Sequence, residues 1–156
     1  MSRVSIQSEP FDTAAEIARL TDSLGGRAGA IVSFSGLCRD EGGRLAALEL
    51  EHYPGMAEAE IERVADEAAA RWPVQGLRAI HRHGLVRPGE GIVLVLAASA
   101  HRRAAFEAAS FLMDYLKTRA PFWKREHLID GTVGGWVEAT DADAKAAQDW
   151  EAEGRP

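Results

Sequence analysis

The sequence predicts an α+β fold, a mostly antiparallel sheet with packed helices, and three observations carry that expectation. Apolar runs of strand length recur at 29–36, 45–53, 77–84 and 91–99. Helical periodicity occupies the intervals after Asp12, after Gly55 and after His101. The strands also fall into hairpin-like pairs rather than a regular strand-helix-strand alternation, which favours antiparallel pairing. With 156 residues and 46% hydrophobic content, one well-buried domain is expected over 1–150, with residues 151–156 as a disordered tail.

Residues 3–7 alternate weakly and predict an edge strand. Asp12 or Thr13 then caps a helix. Thr13 and Glu16 stand at capping-box spacing, and Ile17, Leu20 and Leu24 share one face before Gly25-Gly26 ends it. GAIVSFSG at 29–36 is a strand with Ile31 or Val32 and Phe34 to bury. LAALELEHY at 45–53 alternates as a strand, and Pro54-Gly55 turns it into a helix over 56–71. That helix gathers Ala57, Ile61, Val64, Ala65, Ala68 and Trp72 on one face, which is packing rather than chemistry.

LRAIHRHG at 77–84 and GIVLVLAAS at 91–99 are strands joined by a turn on Pro88-Gly89. The second is apolar without interruption, so it is expected at the centre of the sheet, buried on both faces. From His101 an amphipathic helix places Phe106, Ala109, Met113 and Leu116 at helical spacing until Pro121 breaks it. FWKREHL and GGWVEA are expected strands with a glycine-rich connection, and Asp141 onward, with Ala142, Ala146, Ala147 and Trp150, suggests a terminal helix.

The last long helix concentrates the chemistry. From His101 to His127 there are six Lys and Arg against three Asp and Glu, a local charge of +3 in a chain whose net charge is −6. Such a field attracts an anion, most plausibly a phosphate or carboxylate, although a solvated helix face explains the same charges about as well. Length separates the two basic ends, since sixteen residues of helix span about 24 Å. His101 and Lys117 of one chain therefore cannot meet on one small ligand, and a site using both needs a second copy. Lys117 and Lys124 can meet, because the turn at Pro121 folds the chain back beside the helix end. Clustered cations disfavour protonation of any one amine, which is a route to a nucleophilic lysine.

Four separated stretches, FSGLCRD at 34–40, LEHYPGMAEAEI at 50–61, IHRHGLVRPGE at 80–90 and SAHRRAAFEAASFLMDYLKTRAPFWKRE at 99–126, together resemble the large, catalytic subunit of molybdopterin synthase. The resemblance runs from Gly29 to Ala139. It implies an α/β hammerhead-type fold and a sulfurtransferase activity that converts cyclic pyranopterin monophosphate to molybdopterin by placing two sulfurs as a dithiolene. The sulfur donor it implies is a small ubiquitin-like subunit whose C-terminal Gly-Gly ends in a thiocarboxylate. Carried onto this chain, Lys117 and Lys124 fall on the catalytic lysines. Leu37, Cys38, Arg39, His101, Arg102, Arg125 and Glu126 join them as substrate-binding positions, His101 and Arg102 coming from the neighbouring subunit of a homodimer. Asp40 stands where many relatives carry Asn. The resemblance implies no metal or redox cofactor.

Other readings compete at several of these residues. Arg39 alone reads as a surface cation paired with Asp40 or Glu41. The single Cys38 excludes an internal disulfide; it suggests a persulfide carrier, but a small buried hydrophobe is the commoner role. His81 and His83 share a strand face and with His101 suggest a metal site, which lacks supporting carboxylates or thiols. His52 reads as a structural histidine. The chain as a whole offers two further alternatives, a non-catalytic adaptor for a ubiquitin-like tail and an anion-sensing or nucleic-acid-binding dimer. The acidic balance argues against nucleic acid. No stretch of eighteen apolar residues and no N-terminal signal is present, so no membrane partner and a cytoplasmic setting are expected.

Overall fold

A computed structural model describes residues 3–119, 121–137 and 149–150. The described elements are β1 (Val4–Gln7), α1 (Thr13–Leu24), β2 (Ala30–Leu37), β3 (Leu45–His52), α2 (Met56–Arg71), β4 (Val74–Arg82), β5 (Gly84–Val86), β6 (Gly91–Ser99), α3 (Arg102–Thr118) and β7 (Phe122–Leu128). They form two sheets. A four-stranded sheet has the order β1-β4-β6-β2, and a three-stranded sheet has the order β5-β3-β7. Only the β1–β4 pair is parallel; the other pairs are antiparallel.

The uninterrupted apolar run of β6 has a simple cause. Val93, Val95 and Ala97 face α2 and α3, where they pack with Ile61, Val64, Phe111, Leu112 and Tyr115. Leu94, Leu96 and Ala98 face the other way and pack with Leu20 and Leu24 of α1. A strand covered on both faces needs no polar alternation. The expected helical face of α2 is buried as read, with Ala57, Ile61, Val64, Ala65 and Ala68 all inaccessible. Its start depends on Gly55, whose φ of 83° suits glycine, and the Glu58 carboxylate accepts the Gly55 N–H.

Several expectations change. Asp12, not Thr13, caps α1, its carboxylate accepting the Ala15 N–H at 3.0 Å. Glu16 makes no capping box because its carboxylate is drawn to Arg19 and Arg78 instead. Phe34 is 43% exposed rather than buried, because it stands on the edge strand β2 at the rim of a cavity. Phe106, expected on the buried face of α3, is 61% exposed; the buried face runs through Ala105, Ala108 and Leu112, and Phe106 shares the outer stripe with Arg103 and Ser110. The segment read as one hairpin arm after β4 contains an additional short strand, β5, which leaves the large sheet to pair with β3. GGWVEA forms no strand over 134–137: Val133 and Val137 make isolated bridges to His127 and Lys124. The rest of that stretch and most of the expected terminal helix, Ala142, Ala146 and Ala147 included, lie outside the described residues. Trp150 is described, and its ring meets Trp72 edge-on at 5.5 Å.

Glu16 is the buried carboxylate of the large sheet's α1 face. Burial raises its pKa, but the hydrogen bonds from Arg78 and Arg19 more than offset this and hold it below the ordinary 4.5. A carboxylate depressed in the folded state stabilises the fold above the unfolded value and loses that contribution as pH falls through the folded one. Glu16→Gln is expected to cost about 1–3 kcal/mol at pH 7, read from urea unfolding. The gap to the wild type should close as pH is lowered below 4.5.

Candidate functional site

A cavity of 470 Å³ opens where the end of α3 and the start of β7 meet the seam between the two sheets. Its position follows from the chain. α3 ends at Arg119, whose N–H still bonds the Tyr115 carbonyl at 2.8 Å, and Pro121 prevents another turn. The chain then reverses into β7, which pairs with β3 so that Lys124 lies opposite Leu50 and Glu126 opposite Leu48. Lys117 from the helix and Lys124 from the strand consequently line one cavity, with Leu48 and Leu50 as part of its apolar wall. Leu37 also lines it, 59% exposed at the end of β2. Met113, Leu116, Phe122 and Trp123 add to the wall.

The other expected residues are placed differently. Cys38 is 4% exposed, packed with Leu45, Leu50 and Val86, and its Sγ lies 3.7 Å from the Val86 carbonyl oxygen. Burial, aided by the Glu41 and Glu90 carboxylates, pushes its thiol pKa up against the effect of a backbone hydrogen bond from Leu48. This is the setting of a packing residue. Arg39 extends into solvent with its side chain 85% exposed, and its guanidinium stands 3.4 Å from Glu41. Arg125 occupies the face of β7 opposite Lys124, where it donates to Glu49 at 2.8 Å and lies over the Trp136 ring. Glu126 shares the Lys124 face but is not part of the cavity lining. His101 and Arg102 cap and open α3 at its far end, exposed, about 24 Å from Lys117 by helix rise. Lys117, Lys124 and Leu37 are thus brought together within one chain, while Arg39, His101 and Arg102 are not.

His81, in sequence an unsupported metal candidate, lines the same cavity. No group of three or more His, Cys, Asp or Glu suited to a metal occurs among the described residues. Instead His81 stacks on Phe122 with ring centroids 3.8 Å apart, and Phe122 stacks in turn near His52 at 6.0 Å. His52 meets His83 at 4.7 Å. This aromatic column ties β4 of the large sheet to β3 and β7 of the small one. Burial is the main reason the His81 pKa falls to about 4; the Arg82 carbonyl opposes the fall, and Lys117, His52 and His83 add to it. The imidazole is therefore neutral at pH 7. The histidine pair was visible in sequence, but its aromatic partner is forty residues downstream.

The family model described as MoaE protein matches residues 6–119. The chain belongs to the MoaE family. A MoaE relative from Mesorhizobium japonicum, named molybdopterin synthase catalytic subunit, is 71% identical over 149 residues, covering 94% of this chain and 92% of that protein. A relative of the same name from Brucella melitensis is 65% identical over 95% of this chain and 90% of its own length. Among solved structures, a molybdopterin biosynthesis MoaE protein from Burkholderia ambifaria superposes with a TM-score of 0.82 at 43% identity, covering 97% of this chain and 99% of that one. The α+β architecture is thus that of the MoaE structures. No described helix is long and apolar enough to cross a membrane.

The burial of Cys38 makes a direct chemical test possible. In the native chain it should alkylate with iodoacetamide far more slowly than in the urea-unfolded chain, as followed by intact mass. Rapid native labelling would contradict the inert setting described above.

Proposed function

We propose that this chain is the catalytic subunit of a molybdopterin synthase, converting cyclic pyranopterin monophosphate to molybdopterin by dithiolene formation. The observation that carries the reading is the convergence of Lys117 and Lys124 on one 470 Å³ cavity with an apolar wall. The family and its relatives' names support the reaction. A molybdopterin synthase structure from Staphylococcus aureus, 29% identical with a TM-score of 0.79, supports it as well.

In this reading the sulfur arrives as the C-terminal thiocarboxylate of a small ubiquitin-like subunit, so it is already activated and no metal or redox cofactor is required. The tail enters beside Lys117 and Lys124, whose ammonium groups stabilise the negative charge that develops on the acyl oxygen. The thiocarboxylate sulfur attacks a side-chain carbon of the pterin and displaces an oxygen substituent, which leaves a thioester. Water then cleaves the acyl–sulfur bond, the tail departs as a carboxylate, and the sulfur stays on the pterin. One lysine assists the proton transfers. Because the far end of α3 lies about 24 Å away, phosphate binding by Arg39 requires His101 and Arg102 from a second copy. The working unit is then a homodimer with one small subunit at each end, acting in the cytoplasm. Arg39, its exposed guanidinium 3.4 Å from Glu41, is available to such a phosphate through a charge-assisted hydrogen bond.

The test is to mix the purified chain with thiocarboxylated small subunit and cyclic pyranopterin monophosphate and to follow dithiolene product. Lys117→Ala is expected to reduce turnover at least about 100-fold without changing the thermal midpoint. Undiminished turnover in that variant would remove Lys117 from the chemistry. Intact small-subunit binding with no product from the wild type would instead favour a non-catalytic adaptor.

A further inference from the structure

We propose that His81 is a further ligand-contacting residue of the lysine cavity, its Nε2 accepting a hydrogen bond from an N–H of the molecule that fills the cavity. The inference rests on the catalytic reading above and extends it to an acceptor that this reading does not contain. Its first support is the tautomer. His81 Nδ1 lies 2.9 Å from the Arg82 backbone oxygen, which can only accept, so Nδ1 carries the proton. The lone pair is then on Nε2, and the ring lines the cavity.

The second support is the chemistry of the remaining wall. Among the described lining residues the polar side chains are Lys117, Thr118, Arg119, Trp123 and Lys124 besides His81. Four of these only donate hydrogen bonds, and no carboxylate is among the described lining residues. A ligand bearing only anionic groups would need nothing more. A ligand that also presents an N–H, whether a reduced heterocycle or the amides of an inserted peptide tail, requires an acceptor on burial. His81 meets that need without adding a negative charge that would neutralise the lysines.

The third support is rigidity. Stacking against Phe122 at 3.8 Å with only 16° between the ring planes fixes the imidazole, while the Arg82 carbonyl fixes its tautomer. The facing charged and titratable groups are Lys117 from α3, His52 from β3 and His83 after β4. All of them oppose a positive charge on His81, so the acceptor persists at neutral pH.

The experiment measures binding by calorimetry for the wild type, His81→Phe and His81→Gln, with thermal midpoints recorded for each. The phenyl ring keeps the stack without an acceptor; the amide restores an acceptor near the Nε2 position. Two ligands are used, cyclic pyranopterin monophosphate and the small subunit ending in Gly-Gly. His81→Phe is expected to weaken one of them roughly three- to tenfold, and His81→Gln to recover much of the loss. Weakening of the pterin alone identifies the donor as a heterocycle N–H, and weakening of the small subunit alone identifies tail amides. Unchanged binding of both, or equal loss in both variants, overturns the proposal. Should the phenyl ring unsettle the fold, His81→Leu serves as the acceptor-free variant. A wild type that binds neither ligand refutes the catalytic reading itself, whereas equal binding by wild type and His81→Phe refutes only the role of His81.

Discussion

The two-sided burial of β6 is the constraint on which the rest of the molecule depends. Val93 to Ser99 is inaccessible throughout, with α2 and α3 on one face and α1 on the other. Each fully buried Val or Leu there contributes about 1.5–3 kcal/mol from removal of apolar surface. That packing fixes α3 against the sheet along its Ala105, Ala108, Leu112 and Leu116 side, and the position of α3 fixes where its last turn delivers Lys117. β2 and β4 are held to the two edges of the same strand. The residues that line the cavity from β2 and β4 therefore take their places from β6, although β6 itself contributes little more than Val93 and Ile92 to the wall.

The second sheet supplies what the first cannot. β3 and β7 bring Leu48, Leu50 and Lys124 to the cavity, and the column of His81, Phe122, His52 and His83 joins the sheets at that point. The opposite face of β7 is occupied by a separate polar arrangement. Glu49 accepts from Arg125 and meets His127 at 2.8 Å, and those hydrogen bonds depress its pKa. Strand alternation thus separates Lys124, free to meet a ligand, from Arg125, which has a structural partner.

Much of the secondary structure was legible because it is written in local periodicity. The apolar run 93–98, the buried face of α2 and the break at Pro121 each announce themselves within a few residues. The meeting of Lys117 and Lys124 was legible for the same reason, since only a turn separates them. What periodicity does not encode is which neighbour covers an apolar side chain. Phe34 and Phe106 carry the right spacing and are nevertheless exposed, one at a cavity rim and one on the helix side turned away from the sheet. The division into two sheets depends on the three-residue strand β5 pairing with β3 across the chain, and Leu48 and Leu50 read equally well as core or as cavity wall. The role of His81 was hidden because Phe122 is distant in sequence.

The unbroken course of α3 from Arg102 to Thr118 also imposes a phase on the protein's evolution. Each residue of a helix turns its successors by about 100°, so a single insertion or deletion inside Arg102–Thr118 would rotate one basic end against the other. It would also carry part of the Ala105-to-Leu116 face out of the core. The residue count of this helix is consequently constrained as tightly as its buried face and Lys117. The turn at Pro121 is bound in the same way, because its length sets where Lys124 stands beside Lys117.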